Sequence, residues 1–224
     1  MIEIGPGPGG LTRSILKIKP GIVYTLDKDL QSGKMLNDLK IIYKDRLNII
    51  IDDALHYPIW KLGNSPRQVI ANLPYNVGTK MLIKWLRHIE HFDLLTLMFQ
   101  KEVADRIIAK PGSKDYGRLS ILTNWLTQTT KLFDIPSKAF IPRPKVNSTV
   151  IQLKPLAKPL YDVSFKSLEK ITHITFSQRR KMLKTSLKKI DGKRILEELD
   201  ILPNLRPENL SIIEFCKIAK KSFE

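Results

Sequence analysis

The sequence predicts an α/β fold, in which a Rossmann-like sheet carries helices on both faces and a small all-α domain follows it. Two observations lead to this prediction. In the first two-thirds of the 224 residues, short apolar runs alternate with amphipathic stretches, the pattern of a parallel sheet covered by helices. Beyond this part only helical periodicity remains. We therefore predict one domain over residues 1–156 and a second over residues 157–224.

The apolar runs are short and rich in β-branched residues and leucine, as in strands whose two faces are both buried. The predicted strands cover residues 2–4, 22–26, 47–51, 68–71, 94–99, 131–135 and 148–153. The predicted helices between them cover residues 11–18, 30–39, 79–88, 102–109 and 119–127. A linker with two prolines follows at residues 154–159. After it, helices are predicted over residues 165–176, 179–189, 194–199 and 212–220.

Composition and charge restrict the class of protein. The chain is 42% hydrophobic and 27% charged, so it can build a core and is not of the disordered type. Its net charge of +16 favours a polyanionic partner, although a general lysine bias is an alternative explanation. The single cysteine, Cys216, excludes a disulfide within the chain and suits the reducing cytoplasm. No apolar run has the length of a membrane helix, and we expect a monomer without a membrane partner.

A glycine-rich loop, Glu-Ile-Gly-Pro-Gly-Pro-Gly-Gly-Leu-Thr at residues 3–12, joins the first strand to the first helix. Gly5, Gly7 and Gly10 satisfy the spacing G-x-G-x-x-G. Glycines at such a junction let the backbone pass close to a ligand and direct helix amides toward it. A tight structural turn is the alternative explanation.

Acidic residues follow the next two strands. Asp27 ends the second strand, where a carboxylate can bind ribose hydroxyls, whereas Asp29 is the better helix cap. Asp53 follows the third strand and can accept a hydrogen bond from an adenine amine. Three successive strand ends thus predict a nucleoside bound across the carboxyl edge of the sheet. At this point both NAD and S-adenosylmethionine remain open.

The fourth strand ends in Asn72, Leu73, Pro74 and Tyr75, a sequence that suits chemistry on an adenine amine. That amine is a poor nucleophile because its lone pair is delocalised into the ring. Hydrogen bonds from both its hydrogens, to the Asn72 side chain and a Leu73–Pro74 carbonyl, would turn the lone pair toward an incoming methyl group. The rate of such a methyl transfer depends on the alignment of the reacting atoms, and the reaction needs no metal and no strong base. Tyr75 offers a flat face for an extruded base, and a strand-terminating turn with a core tyrosine is the alternative.

Several longer strings resemble one family. They are Glu-Ile-Gly-Pro-Gly-Pro-Gly-Gly-Leu-Thr at residues 3–12, Asn-Leu-Pro-Tyr-Asn-Val-Gly-Thr at 72–79, Gln-Lys-Glu-Val-Ala-Asp-Arg at 100–106, Tyr-Gly-Arg-Leu-Ser at 116–120, Phe-Ile-Pro-Arg-Pro-Lys-Val-Asn-Ser at 140–148 and Phe-Ser-Gln-Arg-Arg-Lys at 176–181. With these strings the sequence resembles the small-subunit ribosomal RNA adenine dimethyltransferase family. The resemblance implies a class I methyltransferase fold, S-adenosylmethionine as cofactor, and an immature small ribosomal subunit as partner. It also implies that two methyl groups pass to each of two adjacent adenines near the 3′ end of the RNA.

The resemblance also implies roles for individual residues. The cofactor positions are Glu3, Gly5, Gly7, Asp27, Asp53, Ala54 and Asn72. Tyr75 and Phe140 would stack on the target base. Glutamate is commoner in the family where Asp27 stands, and the family usually has an upstream segment that is absent here. We therefore expect weak cofactor binding, with an inactive RNA-binding remnant as one alternative and a nicotinamide-dependent oxidoreductase as a more distant one.

A cluster of basic residues lies beyond the linker. Residues 176–194, hereafter the basic segment, carry eight basic side chains and a single acid, Asp191. We predict that this segment binds RNA phosphates, and a solvated helix face is the alternative. The predicted phosphate contacts are Arg179, Arg180, Lys181, Lys184 and Lys188. His88 and His91 are three residues apart on a helix end, and we expect no metal there.

Overall fold

The computed structural model describes residues 1–224, which include seven strands. These strands are β1 (Ile2–Ile4), β2 (Val23–Asp27), β3 (Leu47–Ile51), β4 (Gln68–Asn72), β5 (Leu94–Gln100), β6 (Thr127–Ile135) and β7 (Ser148–Pro155). They form one sheet in the order β3-β2-β1-β4-β5-β7-β6. The predicted α/β fold class is confirmed.

Parallel pairing brings the carboxyl ends of the first four strands to one edge of the sheet. At this edge Ile4 pairs with Leu26 and with Ala71, on either side of β1. The chain crosses from one side of β1 to the other between β3 and β4, which makes the edge a topological switch point. Ligands of open α/β sheets bind at such points.

The sheet is mixed, whereas the sequence predicted a parallel one. β7 runs antiparallel to β5, with Leu95 opposite Leu153 and Gln100 opposite Ser148. Apolar periodicity indicates a buried strand but carries no information on its direction. β6 also begins at Thr127, which the sequence placed in a helix, because Thr127 adopts extended angles (φ −139°, ψ 150°).

The helices are α1 (Gly10–Lys17), α2 (Leu30–Tyr43), α3 (Gly78–Leu86), α4 (Lys101–Ile108), α5 (Arg118–Leu126), α6 (Phe165–Phe176), α7 (Leu183–Ser186), α8 (Gly192–Glu198) and α9 (Ile212–Phe223). As expected, Asp29 caps α2, since its carboxylate accepts a hydrogen bond from the Gln31 amide at 2.9 Å. None of these helices combines the length and the apolar character that crossing a membrane requires.

One cluster of buried side chains holds α1 and α2 against β2 and β3. It consists of Ile15, Leu16, Val23, Leu36, Leu39 and Leu47. Burying each large aliphatic side chain contributes roughly 1.5–3 kcal/mol, so this cluster fixes the helix that follows the glycine-rich loop. The loop is thereby presented from a rigid base.

The chain forms two compact units, and their bounds differ from the predicted domains. One unit comprises residues 1–104 and 130–155, and the other comprises residues 105–129 and 156–224. The predicted division near residue 156 coincides with one of these bounds. Residues 105–129, which the sequence analysis assigned to the first domain, instead pack with the C-terminal helices. Periodicity along the chain does not indicate that residues 105–129 pack with the C-terminal helices.

The second unit has its own aromatic core. Phe176 packs against Tyr116 and Phe215, with ring centroids 6.4 and 5.7 Å away. Trp125 packs against Phe165 with ring centroids 6.0 Å apart. Cys216 is fully buried, and this burial raises the pKa of its thiol to about 12, as befits a structural side chain.

The helix predicted over residues 179–189 is wrong. The structure has only the single turn of α7 there, preceded by turns and followed by a short 3-10 helix. Met182 adopts extended angles (φ −66°, ψ 154°), which interrupt the helical path. The spacing of lysines and leucines resembled helical periodicity, but the buried side chains, Leu183, Ser186 and Leu187, span only this one turn.

Candidate active site at the carboxyl edge of the sheet

A cavity of about 180 Å³ lies at the carboxyl ends of β1 and β2. Its walls are formed by Ile4, Gly5, Leu26, Asp27, Lys28, Asp53, Ala54, Leu55, Pro74, Asn76, Val77 and Met81. The structure thus brings together four of the residues predicted to bind a cofactor: Gly5, Asp27, Asp53 and Ala54. The sequence analysis missed the apolar walls, because Leu55, Val77 and Met81 carry no chemical signature.

The glycine-rich loop passes close to the fourth strand. Gly5 has a left-handed backbone (φ +69°), and a Cβ atom there would lie 3.6 Å from the Asn72 carbonyl oxygen. Gly9, also left-handed (φ +81°), leaves no room for a side chain, since a Cβ would lie 2.6 Å from Leu36 Cδ2. The motif spacing pointed to Gly10 instead of Gly9. Gly7 belongs to the same loop but does not line the cavity.

Asp27 is oriented by two hydrogen bonds. One carboxylate oxygen accepts from the Asp29 amide at 3.0 Å, and the other accepts from the Ser32 hydroxyl at 2.9 Å. Each carboxylate oxygen can accept a further hydrogen bond. Asp27 therefore retains the capacity to bind hydroxyl groups in the cavity.

Asp53 is held by the turn that it begins. Its carboxylate accepts from the Leu55 amide at 2.8 Å. The Lys84 ammonium, from α3, donates to the Leu55 carbonyl at 2.7 Å and fastens the same turn. Burial lowers the pKa of Lys84, and the negative charge of Asp53 opposes that change. No local sequence pattern marks Lys84, since its partners lie 27 and 29 residues away.

Glu3 is a buried residue of β1 and does not line the cavity. It is only 1% exposed, in the strand between β2 and β4, and its Oε2 atom has no hydrogen-bond partner. Burial raises the pKa of the Glu3 carboxyl to about 7. The structure thus does not bring this predicted cofactor residue to the cavity surface.

A second cavity, of about 270 Å³, adjoins the first at Pro74, which lines both. Its walls are Asn72, Leu73, Pro74, Tyr75, Phe140, Pro142 and Pro144. Two segments 65 or more residues apart in sequence thus meet, and they bring the predicted catalytic and stacking residues together. The Tyr75 hydroxyl is 2.9 Å from the hydroxyl of buried Ser148, a residue that the sequence analysis missed.

Two oxygen atoms at this second cavity have no partner within the protein. The Asn72 side chain is exposed and forms no hydrogen bond. No backbone amide donates to the Leu73 carbonyl, whereas the Pro74 carbonyl accepts from the Val77 and Gly78 amides at 3.2 and 2.9 Å. Of the predicted Leu73–Pro74 acceptor, only the Leu73 oxygen is therefore available.

Some basic side chains of the basic segment form ion pairs within the protein, and others do not. Arg179 forms an ion pair with Glu208 at 3.3 Å, and its guanidinium also reaches the Ser113 carbonyl at 3.5 Å. Four of the five predicted RNA contacts are exposed and form no ion pair; they are Arg180, Lys181, Lys184 and Lys188. Arg179 thus has a structural role of its own.

The two histidines of α3 and its extension lie near a third donor. His88 stacks on Trp60 with ring centroids 3.7 Å apart, and His91 is 3.4 Å from the Glu90 carboxylate. Donor atoms of His88, Glu90 and His91 lie within 4.8 Å of one another. The expectation that no metal binds here stays a prediction.

Comparison with known proteins shows which family has this site. The model of the family described as "Ribosomal RNA adenine dimethylase" matches residues 1–222. The chain belongs to the ribosomal RNA adenine dimethylase family. The resemblance found in the sequence is confirmed, and the chain is a methyltransferase. Membership does not favour the nicotinamide-dependent oxidoreductase.

Individual members of this family are similar over nearly the whole chain. The ribosomal RNA small subunit methyltransferase A of Rhodospirillum rubrum is 45% identical over 98% of the chain and 77% of its own length. The protein of the same name from a Wolbachia strain of Drosophila simulans is 47% identical, over 98% of the chain and 81% of its length. A dimethyladenosine transferase from Plasmodium falciparum superposes with a TM-score of 0.83 at 25% identity, covering 97% of this chain and 87% of that one.

Proposed function

We propose that this dimethylase-family chain transfers methyl groups from S-adenosylmethionine to the N6 atom of adenines in small-subunit ribosomal RNA. One observation carries the proposal. Asn72 and Leu73 line a cavity together with Tyr75 and Phe140, and the Asn72 side chain and the Leu73 carbonyl have no hydrogen-bond partner within the protein. This combination suits a flat base with an amine at its edge.

The chain's own residues would activate the amine by orientation. The Asn72 side-chain oxygen accepts one amine hydrogen and the Leu73 carbonyl accepts the other. The nitrogen lone pair then leaves the plane of the ring. Tyr75 and Phe140 hold the base from its two faces, which fixes the direction of that lone pair. The proton displaced from the nitrogen passes to water, so no general base is needed.

The first cavity fits the nucleoside part of the cofactor. Asp27 and Asp53 keep free acceptor positions for ribose hydroxyls and an adenine amine, beside the Ala54 backbone. Leu55 and Met81 supply apolar contact area, and Gly5 allows close backbone approach. Glu3 does not line the cavity, so its effect on the cofactor would be indirect, through the loop that contains Gly5 and Gly7. When bound, S-adenosylmethionine supplies an electrophilic methyl group.

The RNA substrate is supported by the names of the relatives and by charge. The Rhodospirillum and Wolbachia relatives are named for small-subunit ribosomal RNA. The basic segment supplies free cations for a polyanion. We therefore assign methyl transfer to residues 1–156 and RNA binding to residues 157–224, in a monomer that acts on immature small subunits in the cytoplasm. Two adjacent adenines near the 3′ end are the proposed targets, each receiving two methyl groups.

The test is methyl transfer from labelled S-adenosylmethionine to immature small subunits, followed by nucleoside analysis. We expect N6,N6-dimethyladenosine as product, and a rate about a hundredfold lower for Asn72→Ala, since removal of one oriented hydrogen-bonding group has costs of this order. Asn37→Ala, an exposed asparagine of α2, is the matched control. Normal RNA binding without any transfer would instead indicate the inactive remnant.

Cofactor choice is tested separately by thermal shift. S-adenosylhomocysteine should raise the melting temperature and NAD should not compete with it. Stabilisation by NAD alone would contradict the proposal.

A further inference from the structure

The loop at the entrance of the second cavity has two different faces. We call residues 137–147, between β6 and β7, the rim loop. Phe140, Pro142 and Pro144 line the cavity, while Ile141, Arg143 and Lys145 between them are exposed. One face of the rim loop thus belongs to the base cavity and the other faces solvent.

Ile141 is the most exposed of the large hydrophobic side chains, at 101% of its reference surface. Single exposed aliphatic residues are common and by themselves indicate nothing. The position of Ile141 is what distinguishes it, since its chain neighbour Phe140 lines the cavity proposed for the base. An apolar side chain at that position would contact the part of the RNA that adjoins a base in the cavity.

The solvent face of the rim loop is otherwise cationic. Lys138, Arg143 and Lys145 are exposed, none of them forms an ion pair, and residues 136–147 contain no acid. Arg143 donates from Nε to the Ser137 hydroxyl at 3.2 Å, which holds the guanidinium while leaving its other nitrogens available. The charge favours phosphates around the apolar side chain.

The rim loop is also tied at its base. The Asn147 side chain accepts from the Ser137 amide at 3.0 Å, which closes the loop. The Asn147 carbonyl accepts from the Lys101 amide at 2.9 Å. Ile141 is therefore presented from an anchored loop.

We infer that Ile141 is a wedge that contacts the RNA base next to the target adenine, while Arg143 and Lys145 bind the flanking phosphates. The inference rests on the proposed function. Moving a base out of its stack exposes the face of its neighbour, and an apolar side chain inserted there offsets part of that cost. Ile141 would thus assist extrusion and would not touch the reacting nitrogen.

The test compares two RNAs with the same target adenine. In one the adenine is stacked within a stem-loop, and in the other the adjacent nucleotide that Ile141 would contact is abasic, so that this stacking interaction is already missing. We expect Ile141→Ala to lower the methylation rate about tenfold on the stacked RNA and less than about twofold on the abasic one. Ile141→Leu should restore the rate. Ile41→Ala, which truncates another isoleucine that is 70% exposed, should behave as wild type on both RNAs.

The proposed phosphate contacts of Arg143 and Lys145 are tested separately, by the salt dependence of RNA binding. Arg143→Gln with Lys145→Gln should flatten the salt dependence of RNA binding by about 1.4 in logarithmic slope, as two lost contacts to single-stranded RNA predict. An Ile141→Ala rate unchanged on stacked RNA, or equally reduced on both RNAs, would overturn the wedge. Failure of the wild type to methylate these RNAs and immature small subunits alike would reject the proposed function, and the wedge with it.

Discussion

The Glu3 side chain carries a carboxyl group that is buried in the protein, and its ionisation affects the free energy of unfolding. Burial raises its pKa from an ordinary value of 4.5 to about 7. Between these pH values the folded chain retains a proton that the unfolded chain releases. The free energy of unfolding therefore falls as the pH rises from 4.5 through 7, and it stays lower above that range.

We expect Glu3→Gln to remove this pH dependence. The variant should gain stability relative to wild type by up to about 3 kcal/mol between pH 4.5 and pH 8, at 1.36 kcal/mol for each unit of pKa. Denaturant unfolding at several pH values measures the difference. Asp38→Asn, on an exposed residue of α2, is the control. Parallel curves for Glu3→Gln and wild type would show that Glu3 ionises as freely in the fold as in the unfolded chain.

Ser148 positions one of the two stacking rings. Its buried hydroxyl bonds to the hydroxyl of Tyr75, whose ring lines the base cavity. Ser148→Ala should raise the KM for RNA severalfold and cost about 1 kcal/mol of stability, as the loss of one hydrogen bond does. Ser148→Thr should restore the KM.

A variant of the neighbouring residue, Thr149, distinguishes a role of Ser148 in positioning Tyr75 from a general loss of stability. Thr149 is equally buried, and its hydroxyl bonds to Asp134 at 2.6 Å, away from the cavity residues. Thr149→Val should cost similar stability and leave the KM unchanged. Equal kinetic losses in both variants would assign Ser148 a merely structural role.

At the scale of elements, the basic segment consists largely of turns around α7, and its free cations include Arg180, Lys181 and Lys184. Reversing these three to Glu should weaken RNA binding and reduce its logarithmic salt slope by about 2 to 3, since each phosphate contact contributes about 0.7 to 0.9. Filter binding at several salt concentrations measures this slope.

Arg179→Gln provides the control within the same segment. It removes the ion pair with Glu208, so stability should fall slightly while the salt slope persists. If the triple reversal left the slope unchanged, the segment would be a solvated surface.

Sequence patterns predicted the elements that carry the site, because buried strands followed by polar residues are a local signal. The order Gly5, Asp27, Asp53 and Asn72 at successive strand ends was read correctly for this reason. Strand direction in β7 and the packing of residues 105–129 depend on pairing between distant segments. Periodicity does not encode such pairing.

The same limit applies to the missed side chains. Lys84 fastens a turn 29 residues away, and Ser148 holds a tyrosine 73 residues away. Neither residue type has a signature for these tasks. The family resemblance predicted that Tyr75 and Phe140 act together, but the anchors of their loops had to come from the structure.

At the scale of the whole molecule, the order of strands places two cavities side by side at the carboxyl edge of the sheet. Pro74 lines both, so a cofactor in one and a base in the other would meet near residues 72–75. The reversal of strand order about β1 creates this crevice. The proposed reaction follows from that adjacency and from the two free acceptors.

A crystal structure of the chain with S-adenosylhomocysteine and an adenosine-containing RNA measures this arrangement directly. We predict that the adenine N6 atom lies about 3 Å from both the Asn72 side-chain oxygen and the Leu73 carbonyl, with the base between Tyr75 and Phe140. A base bound outside this cavity, with its N6 atom beyond hydrogen-bonding reach of both oxygens, would contradict the proposed mechanism.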